Sequence, residues 1–228
     1  EKTITFILGQ EESQQKAIAL VREFNKPAMI ENRFVKAKEK WDSLLNTLQV
    51  ETPDQELDVI LNRWLLYQAM SCRIWGRSAF YQSSGAYGFR DQLQDITSIL
   101  TINPEESREH ILRAAEHQFE AGDVLHWWHP PSGRGVRTRI TDDLLWLVYV
   151  TAEYIFKTGD SDILKVELPF KLGEPLKEDE EERYGHYETS EEKFSLFEHC
   201  RRALDHGDTQ GPHGLPLMGS GDWNDGMN

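Results

Sequence analysis

Helix starts constrain this 228-residue chain most, because they recur with their caps written out. Asn103 precedes Pro104 and Glu106, which combines an N-cap, a proline at the first helical position and a capping-box acid. Thr141 precedes Asp142, Asp143 and the run LLWLVYVTAEYIF, and early acids suit the positive end of a helix. Thr189, Ser190, Glu191 and Glu192 predict another start, with the helix running through Leu204. Upstream, residues 11–24 put Ala17, Leu20, Val21 and Phe24 on one face, and Asn25 to Met29, with Pro27, read as a connection. Residues 32–49 space Phe34, Ala37, Trp41, Leu44, Leu45 and Leu48 at threes and fours. Residues 54–72 are apolar on more than one face, which predicts a deeply buried helix, and residues 89–100 predict a short one. Residues 3–8 (TITFIL) read instead as a strand ending at Gly9.

These helices recur about every 40 to 50 residues without a close sequence repeat, which suggests helical hairpins stacked in a solenoid or closed into an α/α toroid. A twelve-helix toroid needs about twice this length, so the chain is expected to hold the first half of one. The chain lacks an initiator methionine and stops at Gly226-Met227-Asn228, and both ends read as cuts within a longer protein. The long segments Ser78 to Gly88, Gly122 to Arg139 and His206 to Asn228 read as loops dense in Gly, Trp, His, Arg and Asp. Loops of that length in a compact helical domain usually carry function.

Composition excludes several classes of partner. The formal charge is −14, from 25 basic and 39 acidic residues, and no basic stripe is present to track nucleic acid or an anionic membrane. The acidic run 174–183 reads as a solvated loop. Cys72 and Cys200 are the only cysteines, which points to a reducing, cytoplasmic setting rather than a disulfide framework. No apolar run reaches membrane-spanning length.

Three clusters could carry chemistry. Gly88-Phe89-Arg90-Asp91-Gln92 offers a fork of donors and acceptors for neighbouring sugar hydroxyls, or a plain helix start; Asp95 follows on the same stretch. His126-Trp127-Trp128-His129 suits sugar stacking or core closure equally, and two histidines three apart without a third ligand do not make a zinc site. Arg137 and Arg139 stand near the acidic pair Asp142 and Asp143 and could pair with it. In Gly221-Asp222-Trp223-Asn224-Asp225-Gly226 two carboxylates, an indole and an amide fall together, enough for protonating a glycosidic oxygen but short of a calcium loop. No metal site is expected.

The stretches CRIWGRSAFYQSSGAYGFRDQLQD (72–95), FEAGDVLHWWHPPSGRGVRTRITDDLLWL (119–147), LFEHCRRALD and GLPLMGSGDWNDGMN resemble the inverting glycoside phosphorylase family of cellobiose, cellodextrin and chitobiose phosphorylases. Within it they are most similar to the phosphorylase-like domain of cyclic β-1,2-glucan synthases and to 1,2-β-oligoglucan phosphorylases. The resemblance implies a mainly α fold: residues 1–9 end an N-terminal β-sandwich, 10–31 form a helical linker, and 32–228 begin an (α/α)6 catalytic domain. It implies phosphorolysis of a β-linked glucan to α-glucose 1-phosphate, with inorganic phosphate as co-substrate and no cofactor. Asp225 matches the family's general acid, Trp223 its site-lining tryptophan, and Arg90 and Asp91 the pair holding the non-reducing-end sugar. Asp95, Trp127, Trp128, Arg137, Arg139, Asp143, Glu198 and Asp222 lie in matched motifs as site-lining candidates without assigned roles. The family's phosphate pocket draws on a histidine and a Thr-Gly pair that nothing here matches, so these residues alone are expected to be inactive. An intact protein could be a homodimer, and could be membrane-anchored through other domains. Two rivals stay open: an inverting glucan hydrolase using Asp95 or Glu198 as second carboxylate, and a non-catalytic glucan-binding module.

Overall fold

The computed structural model describes residue 4, residues 6–77 and residues 85–220. The chain divides into two compact units, Glu1–Arg63 and Trp64–Asn228.

The first unit carries α1 (Gln14–Phe24), α2 (Pro27–Leu45) and α3 (Gln55–Val59), with a π-helical turn over Ile60–Trp64 at its edge. Ser13 caps α1 and Asp54 caps α3 through their side chains. Pro27 belongs to α2 itself: a proline at the first helical position sacrifices no hydrogen bond, so the expected connection shrinks to Asn25 and Lys26. The described residues of the expected strand 3–8 make no strand pairing.

The second unit begins with α4 (Leu65–Gln68) and a π-helical stretch over Ala69–Trp75. Deep burial of residues 54–72 does not hold: Val59 is 66%, Trp64 55% and Leu65 50% exposed. Apolar periodicity states a demand for cover, and within 54–72 the described residues meet it in full only at Met70.

Around α7 (Thr141–Thr158) the second unit builds its core. α5 (Phe89–Ile96), α6 (Pro104–Ala115) and α8 (Leu196–Gly207) pack on it. Leu144, Leu147, Val150, Thr151 and Tyr154 face inward at helical spacing, and Gly159, at φ +75°, ends the helix in a left-handed cap. Asn103 caps α6 as the sequence predicts, its Oδ1 accepting from Glu106 N at 3.3 Å. The Glu106 carboxylate does not close a capping box; it accepts from the Trp75 indole at 3.2 Å.

Helix outweighs strand, yet two sheets intervene where loops or helix were expected. β1 (Tyr87–Gly88), β2 (Leu125–His129), β3 (Arg134–Thr138) and β5 (Glu182–Gly185) form one antiparallel sheet in the order β1-β2-β3-β5. β4 (Glu167–Leu172) pairs with β6 (Glu188–Ser195) in the other. The expected loop 122–139 is therefore largely a hairpin. The helix expected from Thr189 starts at Leu196 instead, capped by Ser195. Residues 188–195 pair along β4, and Leu168 opposite Phe194 gives that register a buried contact that a helix would forgo.

Candidate active site

α5 and α7 bring their N-terminal ends together. Arg90, the second residue of α5, donates to Asp142, the second of α7, at 3.2 Å, with both side chains partly buried. Beside them Asp143 is fully buried, and its Oδ2 accepts from His126 Nδ1 at 2.7 Å. A carboxylate only accepts, so an ionised Asp143 places the His126 proton on Nδ1. The second oxygen, Oδ1, is buried without a hydrogen-bond partner. Desolvation raises the Asp143 carboxyl above the ordinary range, with His126 pulling the other way. The pairing expected of Arg137 and Arg139 with this acidic start is thus taken by Arg90 and His126.

Asp91 lies against the strand-to-helix junction. A Cβ on Gly88 would fall 2.1 Å from Asp91 Oδ2, so a larger residue there would displace the carboxylate from this position. Asp95 lies one turn further on the same helix face and takes Arg73, at 2.8 and 2.7 Å. Burial raises its pKa and Arg73 opposes.

The tryptophan pair splits, because successive strand residues point to opposite faces. Trp128 is core, stacked on His117 at 3.8 Å and on Tyr87 at 5.4 Å. Trp127 stays partly exposed beside His129 and Tyr184.

Arg137 is 1% exposed and grips Asp123 through two bonds of 2.5 and 2.7 Å. It also donates to the Gly173 and Glu174 carbonyls and lies over the Phe119 ring at 3.8 Å. Strand geometry sends this side chain to the buried face of the sheet, where its donors are committed to the fold. Arg139, just past β3, donates to the carbonyls of Leu176, Lys177 and Glu180. Glu198, on α8, binds Arg201 and Arg202, which hold its carboxyl down to about 2.

Arg137, Arg139 and Thr141, with Asp123 and His206, line a cavity of about 290 Å³ that also touches Gly219. Met218 O accepts from Thr141 N at 3.3 Å. Gly219 has φ +68°, and a Cβ there would meet Arg139 O at 1.9 Å, so glycine is required for this close docking. The chain leading into the GDWNDG motif is thereby anchored at the start of α7. Asp222, Trp223 and Asp225 lie outside the described residues. The adjacent tryptophan pair marks the His126 segment in the sequence, but the partner of the imidazole lies 17 residues away. Asp123 and Tyr184 carried no sequence signal. Among the described residues no group of three His, Cys, Asp or Glu could hold a metal, and no helix is long and apolar enough to cross a membrane.

The chain is 44% identical over 229 residues to the cyclic beta-(1,2)-glucan synthase NdvB of Rhizobium meliloti, covering 100% of this chain and 8% of that protein. It is 29% identical over 230 residues to the N,N'-diacetylchitobiose phosphorylase of Vibrio proteolyticus, covering 88% of this chain and 26% of the relative. The solabiose phosphorylase of Paenibacillus borealis is 26% identical over 230 residues, covering 100% of this chain and 26% of the relative. The chain thus spans between 8% and 26% of the length of these relatives. Residues 40–228 match the family described as glycosyl hydrolase 94 superfamily, catalytic domain, and the chain belongs to that superfamily.

Proposed function

We propose that this chain is part of an inverting phosphorylase acting on a β-linked glucan, with β-1,2-glucan or its oligomers as substrate. The observation that carries the reading is the convergence of Arg90, Asp142, His126 and Asp143 at the joined ends of α5 and α7, where Met218 and Gly219 dock the segment that continues into the GDWNDG motif. The β-1,2 linkage rests on likeness to the glucan synthase.

In this mechanism inorganic phosphate attacks the anomeric carbon from the face opposite the leaving group. Asp225 gives its proton to the glycosidic oxygen, and the products are α-glucose 1-phosphate and a glucan one unit shorter. Phosphate arrives as an anion, so no protein base is needed and no cofactor enters, unlike the two-carboxylate arrangement of an inverting hydrolase. Arg90 and Asp91 hold hydroxyls of the terminal sugar and Trp223 walls the site. The carboxylates offered for hydrolysis are otherwise engaged, Glu198 by two arginines and Asp95 by Arg73, which favours the phosphorylase over that rival.

The test is phosphate-dependent release of α-glucose 1-phosphate by the full-length protein. Asp225→Asn keeps the size and removes the proton, and is expected to slow phosphorolysis of an unactivated glucan by roughly 10²–10⁴-fold, with a much smaller loss on a donor whose leaving group needs little protonation. Asp222→Asn should hurt both substrates alike. Release of free glucose without phosphate would overturn the reading in favour of hydrolysis, and equal losses on both substrates for Asp225→Asn would remove it as the acid.

A further inference from the structure

The sheet β1-β2-β3-β5 has two unlike faces. One is buried under Trp128, Gly135 and Arg137. On the other, antiparallel register aligns Trp127, Val136 and Tyr184 in one row across three strands. Val136 is 4% exposed, while Tyr184 is 54% exposed. The Trp127 and Tyr184 rings lie 5.6 Å apart at 39° above it, and His129 abuts the Trp127 ring at 5.1 Å. The same face carries His129 opposite Arg134 and Thr138 opposite Glu182, all at least partly exposed.

An open face of an antiparallel sheet normally reads polar throughout. Here two aromatic rings stand at its centre, rimmed by a hydroxyl, an imidazole, a guanidinium and a carboxylate. That pattern matches a sugar chain, whose rings offer apolar C–H faces and whose edges offer hydroxyls. The face is also continuous with the candidate site. Trp127 neighbours His126, which binds Asp143, and its strand partner Gly88 leads directly into Arg90 and Asp91.

We propose that this face is a secondary carbohydrate platform, on which Trp127 and Tyr184 stack against sugar rings of a β-glucan chain whose end lies in the candidate site. His129, Arg134, Thr138 and Glu182 serve its hydroxyls. The choice of β-glucan as occupant rests on the function proposed above; the binding itself needs no phosphate and no turnover.

The experiment measures affinity of the full-length protein for β-1,2-gluco-oligosaccharides from the disaccharide to about twenty units, without phosphate, beside phosphorolysis rates on the same series. Trp127→Ala and Tyr184→Ala are expected to weaken binding of the long oligomers by about three- to tenfold each and to leave the disaccharide unchanged, with Trp127→Phe retaining most of the affinity. Phe156→Ala, on an exposed position of α7, should change neither. Thermal melts establish folding, and if Trp127→Ala unfolds through loss of cover over Val136, the more exposed Tyr184 carries the test. A loss of binding in the Tyr184 variant that is the same at every chain length, or long oligomers bound as by the unaltered protein, overturns the platform, while any phosphorolysis leaves the catalytic reading standing. Length-dependent loss of binding in a protein that shows no phosphorolysis supports the platform and removes the catalytic reading.

Discussion

At the scale of single residues, what matters is which charge meets which partner. Arg137 is the sharpest case, since a buried guanidinium is tolerable only while its donors are met. Asp123→Ala leaves that charge without its carboxylate, and the expected loss is about 3–5 kcal/mol of unfolding free energy, read from urea titration. A loss below about 1 kcal/mol would show that the carbonyls of Gly173 and Glu174 suffice. Asp91 poses a functional question of the same kind. Its carboxylate sits where a side chain on Gly88 would displace it. In the full-length protein, Asp91→Ala should cost about 2–4 kcal/mol in transition-state binding, a fall of roughly 30- to 1000-fold in kcat/KM on the glucan. A change under about threefold would exclude it from holding sugar. Asp143 combines complete burial, an imidazole partner and one unpartnered oxygen, and no sequence neighbour announced that combination.

Elements follow local chemistry where the interaction closes within a turn. The Asn103 cap and the proline after it start α6 as expected, and Gly159 stops α7. Asn103→Ala should therefore destabilise by about 1 kcal/mol, measured as a shift in the urea midpoint at constant slope. No shift would mean that Pro104 and tertiary packing alone hold the helix start. The segment from Thr189 shows the limit of such signals. Its hydroxyls and acids look like a helix start, but Ser190 Oγ instead accepts from Phe170 N at 2.9 Å, across the strand pair. The true start lies at Ser195, whose hydroxyl accepts from Glu198 N at 3.3 Å. The hairpin of β2 and β3 was hidden for a related reason. Its Gly, Trp and His content reads as loop, and only pairing with neighbours supplies the ladder.

Over the whole molecule, buried histidines couple folding to pH. Burial, ahead of any charge, lowers His110, His117 and His199 to about 4. Above pH 6.5 these rings are neutral in folded and unfolded chain alike, so their stabilising contribution is complete. As pH falls from 6.5 toward 4 the unfolded chain binds protons that the folded one refuses, and stability is lost. The loss is on the order of 1–3 kcal/mol for each ring, because a tenfold difference in proton affinity is worth about 1.4 kcal/mol. Asp143 and Asp95 run the opposite way, their raised pKa values weakening the fold as pH rises through them. Urea titrations at pH 7 and pH 4.5 should show the histidine loss, and a flat profile between them would refute it. Among the described residues the sequence alone determined where α6 begins and where α7 places its acids and apolar stripe, because caps, early acids and three-four spacing act between residues a turn apart. It also carried the family motifs, since those are runs of identity. Tertiary structure alone decided that Trp128 is core and Trp127 exposed, that His126 and Arg90 take the acids of α7, and that Arg137 serves the fold. The pairings of Arg137, His126 and Arg90 join residues 14 to 52 apart, and a side chain's charge or shape states what it needs without saying which distant group meets it.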